Sequence, residues 1–187
     1  MKICIIGAGS TYTPELIEGV IHKRDSLPVT EISFMDIDER KLNIVGGLCQ
    51  RMIQAAGLLC KTELVLNDYK QALLGADFVL AQIRVGKLPA RVKDEKIPLK
   101  YNLIGQETCG IGGMFKGLRT IPVMMNIVKM MEEYCPNAWL INFTNPSGMI
   151  AEALLNHTNV KMMGLCNVPI LSLIHISEPT RRTPISY

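Results

Sequence analysis

Lys2-Ile3-Cys4-Ile5-Ile6-Gly7-Ala8-Gly9-Ser10 is the stretch that decides the fold, because a short apolar run leads into a glycine pair and then into a helix start. This order is typical of the first strand and turn of a doubly wound α/β domain that holds a dinucleotide pyrophosphate. We expect Gly7 to permit the tight turn out of the strand, and Gly9 to let backbone N–H groups approach phosphate oxygens. The following helix would direct the positive end of its dipole at the anion.

The glycine motif alone leaves a structural alternative open. The third glycine of the G-x-G-x-x-G pattern falls at position 12, where this chain has Tyr12. A strand–glycine–helix turn can also serve packing only, so a dinucleotide site needs support from further along the chain.

The composition is that of one compact domain. The chain has 187 residues, of which 48% are hydrophobic and 20% are charged, and its formal net charge is +3. It has no basic run, no signal-peptide pattern and no stretch of the roughly 20 apolar residues that cross a membrane. Its six cysteines form no C-x-x-C pair. We therefore expect a cytoplasmic protein that binds neither nucleic acid nor membrane.

Strand and helix patterns alternate along the chain, which predicts a parallel doubly wound sheet. A long polar, glycine-bearing segment over 84–113 interrupts this alternation, and loops of that length in a compact domain are usually functional. Thr13 is a plausible N-cap for the first helix, with Pro14 at its first position. The predicted strands are 2–6, 31–36, 63–66, 77–83, 138–142 and 161–165, and the predicted helices are 13–22, 38–56, 69–74, 121–134 and 146–156.

Asp36 ends the second predicted strand, where a carboxylate commonly hydrogen-bonds the adenosine ribose. This position favours NAD over NADP, because a carboxylate repels a 2′-phosphate. The alternative is a helix-capping aspartate, and Asp38 fits that role better. Asp36 and the glycine pair together indicate a dinucleotide site.

Three further segments carry candidate chemistry at the predicted carboxyl ends of strands. Arg84 and Arg91 follow strand four, where an arginine fork suits a phosphate or carboxylate, although scattered basic residues are more often a solvated face. Residues 142–148 follow strand five, and their asparagines could hold sugar hydroxyls or a nicotinamide, or form an Asx turn. Cys166 closes strand six, where a cysteine is more often packing than a metal ligand.

Taken together, these blocks resemble glycoside hydrolase family 4, the NAD- and metal-dependent 6-phospho-glycosidases. Four ordered blocks carry the resemblance, which covers residues 1–170 and removes the difficulty over the missing third glycine. They are Gly7-Ala8-Gly9-Ser10 with Tyr12-Thr13-Pro14-Glu15-Leu16, then Arg91 through Glu107, then Asn142–Gly148, then Cys166-Asn167-Val168-Pro169.

The resemblance implies a role for individual residues. Arg91 and Asn145 look like the pair that binds the phosphorylated sugar, and Cys166 looks like a ligand of a divalent metal, typically Mn²⁺. Glu107 stands where the family has an acidic residue important for activity. Asn167 stands where the α-specific branch usually has an aspartate acid, which resembles the 6-phospho-β-glucosidase branch. By the same resemblance, Gly7, Ala8, Gly9, Ser10 and Asp36 bind NAD.

The resemblance also implies a redox-assisted hydrolysis of a 6-phospho-β-glucoside or phosphorylated disaccharide. Oxidation at C3 of the sugar acidifies the C2 proton, elimination releases the aglycone, water adds and the hydride returns. The family's metal-ligand histidine and proton-abstracting tyrosine follow the cysteine block. We therefore expect this chain to be a truncated, inactive form of a homo-oligomeric enzyme.

The end of the chain differs in character from the rest. Residues 171–181 resemble the conceptual translation of a sequencing-library adapter, and the alternative is an ordinary amphipathic tail. We expect a Rossmann-like NAD-binding domain over 1–170 and a non-native tail over 171–187, in which His175 carries no function.

Two other functions remain open from the sequence. A 2-hydroxy-acid dehydrogenase would share the fold and the asparagine-proline turn, but it needs a catalytic histidine, and His22 and His157 sit poorly for that role. A non-enzymatic nucleotide-binding module is the second alternative.

Overall fold

The computed structural model describes residues 1–166. It contains one six-stranded parallel sheet in the order β3-β2-β1-β4-β5-β6. The expectations for Asn167, His175 and the tail lie outside the described residues. The strands are β1 Lys2–Ile6, β2 Glu31–Asp36, β3 Lys61–Leu66, β4 Phe78–Ala81, β5 Trp139–Asn142 and β6 Lys161–Gly164. The helices are α1 Thr13–His22, α2 Glu39–Lys41, α3 Gly47–Ala55, α4 Tyr69–Leu73, α5 Lys87–Leu99, α6 Gly110–Tyr134 and α7 Ser147–His157, with a π-helical stretch at Leu42–Gly46 between α2 and α3.

The strand order confirms the predicted doubly wound sheet. The chain moves outward from β1 to β2 and β3, and then returns to the other side of β1 with β4. Ile5 in the central strand therefore pairs in register with Phe34 of β2 and with Leu80 of β4. The order reverses at the gap between β1 and β4, which is where folds of this class bind ligands at the carboxyl ends of their strands.

Each face of the sheet has its own apolar core. Cys4 and Ile6 point to the face covered by α4, α6 and α7, while Ile3 and Ile5 point to the face covered by α1 and α3. Burial on both faces explains why these strands are continuous apolar runs rather than alternating patterns. On the β6 half of the second face, Met163 remains exposed.

Thr13 does not cap α1, which corrects the prediction. The N-cap residue is Tyr12, and its side chain makes no capping hydrogen bond. Thr13 is instead the first helical residue, fully buried, and its hydroxyl donates to the Ala8 carbonyl at 2.9 Å. The hydroxyl is therefore used to attach the helix to the glycine turn.

The prediction of a loop over 84–113 was wrong, because these residues form α5 and the start of α6. Both helices were missed because their sequences contain glycines and prolines, which normally indicate turns and loops. Pro89 lies in the first turn of α5, where proline is tolerated. Pro98 lies inside the helix, one residue before its end, and a proline at such a position normally argues against a helix. The start of α6 carries several glycines, which are weak helix formers.

Within residues 1–166, no helix is long and apolar enough to cross a membrane.

Candidate active site

The turn after β1 requires glycine at position 7. Gly7 has a φ of +86°, and an added Cβ would lie 2.7 Å from the carbonyl oxygen of Gln82. The N–H groups of Gly7 and Ala8 both donate to the Met35 carbonyl, at 2.9 and 3.0 Å. These bonds fix the turn between the carboxyl ends of β2 and β4, so the backbone leads directly into α1.

Gly9 lies against the carboxylate of Asp36. Its N–H donates to Asp36 Oδ2 at 2.8 Å, and an added Cβ would lie 2.9 Å from the same oxygen and 2.7 Å from Lys41 Cβ. The other carboxylate oxygen accepts the Asp38 N–H at 2.9 Å. The Gly9 N–H is therefore not free for a phosphate. The close approach at this position serves the contact with Asp36, which the sequence did not indicate.

A buried hydrogen-bond chain braces the glycine turn from the β4 side. The Gln82 side-chain amide donates to Thr13 Oγ1 at 2.7 Å, and that hydroxyl in turn donates to the Ala8 carbonyl. No motif in the sequence marks Gln82. Its position directly after β4, at the strand-order reversal, is the signal that could have found it.

The described residues fit a dinucleotide. The turn has no room for side chains at its two glycines, and the N-terminus of α1 begins directly after it. The Thr13 N–H donates to the Ser10 carbonyl at 3.0 Å and Pro14 has no N–H, so the helix would act on an anion mainly through its dipole. The Asp36 carboxylate is fixed by two backbone donors and still has lone pairs for ribose hydroxyls.

Glu107 lies at the centre of a cationic cluster that comprises Arg84, Arg91 and Lys116. Its Oε1 accepts hydrogen bonds from Arg84 Nη1 and Lys116 Nζ, and its Oε2 lies 3.2 Å from Arg91 Nη1. Burial alone would raise the pKa of this carboxyl, but the hydrogen bonds and charges of Lys116 and Arg84 outweigh it and lower the pKa below its usual value. Glu107 is therefore a carboxylate held ionised by its neighbours.

Arg91 is held from a second side as well. Its Nε donates to Glu95 Oε1 at 2.8 Å, one turn further along α5. The side chain remains 40% exposed, so the guanidinium is positioned and still open to a ligand. The sequence placed Arg91 and Glu107 in one block, and the structure brings them together.

In the segment after β5, Asn142 and Thr144 make structural hydrogen bonds, and Asn145 remains the candidate functional residue. The Asn142 side-chain amide donates to the Thr144 carbonyl and accepts the Thr144 N–H, each at 3.0 Å, which is the turn-forming alternative considered above. The Thr144 hydroxyl accepts the Ile83 N–H at 3.0 Å and ties this segment to the end of β4. Asn145 is half-buried and precedes Pro146 through a cis peptide bond.

Cys166 is exposed beyond the carboxyl end of β6. No group of three histidine, cysteine, aspartate or glutamate side chains among residues 1–166 is arranged to hold a metal ion. The described residues therefore do not by themselves fit a metal centre, and the role of Cys166 as a ligand stays a prediction.

The two histidines in the described part of the chain lie far from the site. His22 ends α1 and His157 ends α7, and both helices run back from the carboxyl edge of the sheet toward its amino edge. Among residues 1–166, neither histidine therefore lies where a 2-hydroxy-acid dehydrogenase would need its catalytic histidine.

Comparison with known proteins supports the resemblance to family 4 that the sequence motifs carry. The model of the family described as "Family 4 glycosyl hydrolase" matches residues 2–177. The "Probable 6-phospho-beta-glucosidase" of Bacillus subtilis is 60% identical over 91% of this chain and 39% of its own length. The 6-phospho-beta-glucosidase of Escherichia coli is 55% identical over 91% of this chain and 38% of its own length.

Among solved structures, the 6-phospho-beta glucosidase of Thermotoga maritima with manganese, NAD+ and glucose-6-phosphate has a TM-score of 0.88 and 41% identity. The match covers 96% of this chain and 44% of that one. A lactate dehydrogenase from Eimeria maxima, at 18% identity and a TM-score of 0.57, shares the fold alone. The chain thus spans about two fifths of the length of the curated relatives it matches. With the family model matching nearly the whole chain, this chain belongs to family 4 of the glycosyl hydrolases.

Proposed function

We propose that this chain is the NAD-binding part of a 6-phospho-β-glucosidase. One observation carries the proposal: the glycine turn with Asp36 and the Glu107–Arg91 cluster both lie beyond the carboxyl edge of one sheet. A cofactor bound at the first and a phosphorylated sugar bound at the second would lie side by side.

Each part of the site has a distinct task in this proposal. Gly7, Ala8, Gly9 and Ser10 form the turn that places the α1 N-terminus at the pyrophosphate, while Asp36 accepts hydrogen bonds from the ribose hydroxyls and repels a 2′-phosphate. NAD supplies a hydride acceptor at the sugar carbon and returns the hydride after cleavage.

The substrate side of the site would bind an anion and a sugar. Arg91 offers an exposed guanidinium to the phosphate dianion, which is a strong charge-assisted contact. Asn145 offers its amide to sugar hydroxyls.

Asn167 and the relatives support the β-specific assignment. The Bacillus subtilis and Escherichia coli relatives, at 60% and 55% identity, carry 6-phospho-beta-glucosidase names, whereas the 6-phospho-alpha-glucosidase of Leptotrichia buccalis is 37% identical. Asn167 itself lies outside the described residues, and its catalytic role rests on the resemblance.

The proposal extends to the metal, the location and the assembly of the complete protein. We propose Mn²⁺ as the metal of the complete protein with Cys166 as one ligand, because a related structure contains manganese. All six cysteines are free thiols, which suits the cytoplasm. A homo-oligomer of the complete protein stays a prediction, as do the NAD-binding domain over 1–170 and the non-native tail.

Calorimetry of the purified chain with NAD⁺ and NADP⁺ tests the proposal. We expect NAD⁺ to bind at least tenfold more tightly than NADP⁺, and no cleavage of a chromogenic 6-phospho-β-glucoside by this chain. A folded chain that binds neither dinucleotide would contradict the cofactor assignment. Cleavage dependent on NAD⁺ and Mn²⁺ would contradict the expectation of an inactive chain.

A further inference from the structure

Lys116 is a lysine in an unusual place. Lys116 lies on the second turn of α6 and is only 3% exposed. Its Nζ donates a hydrogen bond to Glu107 Oε1. Lysine is almost never fully buried unless it is paired, because removing an ammonium from water costs free energy. Burial accordingly lowers the pKa of Lys116, against the opposing effect of the Glu107 carboxylate. The ammonium therefore depends on Glu107 for its charge partner.

Close backbone packing holds Glu107 over this ammonium. A Cβ at Gly112 would run into the carbonyl oxygen of Gln106, and a Cβ at Gly113 would lie 2.5 Å from the carbonyl carbon of Thr108. The segment on both sides of Glu107 is therefore seated directly on the first turns of α6. The carboxylate is placed by the backbone, and not only by a flexible side chain.

The two carboxylate oxygens have different partners. Oε1 accepts hydrogen bonds from both Lys116 and Arg84, whereas Oε2 lies 3.2 Å from Arg91 Nη1. A carboxylate saturated in this way is a poor proton carrier, because protonation would break three charge-assisted contacts. It is instead well suited to fix the direction of a guanidinium.

We propose that Lys116 is a positioning residue, which together with Arg84 pins Glu107 as a permanent carboxylate so that its second oxygen orients Arg91. Glu107 then orients the substrate-binding guanidinium and transfers no proton. This inference deepens the proposed function, because it rests on Arg91 as the group that meets the sugar phosphate.

The test compares Lys116→Met and Lys116→Arg with Lys129→Met, an exposed lysine of the same helix. Carbon NMR of the side-chain carboxyl follows the titration of Glu107. We expect its midpoint to rise in Lys116→Met, to stay low in Lys116→Arg and to be unchanged in Lys129→Met. Binding of glucose 6-phosphate should weaken about tenfold in Lys116→Met, which corresponds to about 1.4 kcal/mol, and recover in Lys116→Arg.

Arg84→Gln keeps the inference testable if Lys116→Met does not fold, because the Arg84 side chain is 39% exposed and its loss leaves no cavity in the core. It should also raise the midpoint of Glu107. An unchanged midpoint in the folded variants, or unchanged glucose 6-phosphate binding, would overturn the inference. NAD⁺ binding is measured separately: its absence in the unmodified chain counts against the proposed function, while the titration of Glu107 still decides the role of Lys116.

Discussion

Asp94 and Arg119 form a two-pronged ion pair between α5 and α6. Arg119 Nη1 donates to Asp94 Oδ1 at 3.1 Å and Nη2 donates to Oδ2 at 2.6 Å, while Nε donates to the Val85 carbonyl at 3.0 Å. Asp94 is only 4% exposed. Arg91 lies one turn earlier on α5, so this pair fixes the helix that carries the candidate substrate-binding residue.

Replacing Asp94 by Asn should destabilise the fold by about 3 kcal/mol, because removing one partner of a buried pair leaves the other charge uncompensated. Urea unfolding measures this change. Lys61→Met is the control, since Lys61 meets Glu31 at 3.8 Å and is exposed, and surface pairs contribute about 1 kcal/mol at most. Equal losses of unfolding free energy in the two variants would show that the Asp94–Arg119 pair stabilises the fold no more than a surface pair does.

Gly9→Ala should weaken NAD⁺ binding by more than tenfold and lower the thermal midpoint, because the new Cβ would meet Lys41 and the Asp36 carboxylate. Gly19→Ala is the matched control. Gly19 lies within α1 with no atom near a new Cβ, so this change should stabilise the helix by about 0.5–1 kcal/mol. Calorimetry and thermal unfolding report both effects. Full NAD⁺ affinity in Gly9→Ala would mean that the turn tolerates a side chain.

Asp36→Ala should reduce the preference for NAD⁺ over NADP⁺, because the carboxylate no longer repels a 2′-phosphate. NAD⁺ affinity itself should fall about tenfold, equivalent to about 1.4 kcal/mol, since the ribose loses its acceptor. Titration with each dinucleotide measures the ratio. Retention of the original ratio would place the discrimination on another residue.

The cysteines should differ sharply in reactivity toward iodoacetamide at pH 8. Cys109 and Cys166 are exposed, whereas burial raises the pKa of Cys4 to about 12 and that of Cys135 to about 11. The thiolate is the reactive form, so a raised pKa and restricted access both slow reaction. Burial of the neutral Cys4 thiol stabilises the fold below its unfolded pKa, and this contribution declines as pH rises from there toward 12.

Mass spectrometry of the labelled chain identifies which thiols react. Cys109 and Cys166 should be modified first, and Cys4 and Cys135 only after denaturant is added. Early modification of Cys4 in the folded chain would contradict the packing of β1.

The strands and the glycine turn were predictable because burial on both faces leaves continuous apolar runs, and because Gly7 occupies a backbone conformation that other residues avoid. The helices over 84–113 were not predictable, since prolines, glycines and a charged surface replace the apolar stripe of an ordinary helix. The cluster around Glu107 depends on contacts between residues 84 and 116, which no local pattern reports. Lys116 nevertheless left a trace, as one charge within the glycine-rich start of a long apolar helix.

The hydrogen bond from Gly9 to Asp36 has a consequence for engineering this fold. The carboxylate that would select the cofactor also completes the turn that would receive its phosphates, so the two properties cannot be altered independently. A variant designed to accept NADP⁺ must provide a new acceptor for the Gly9 N–H in the same step. Screens that randomise position 36 alone would therefore reject changes that succeed when a neighbouring side chain supplies that acceptor.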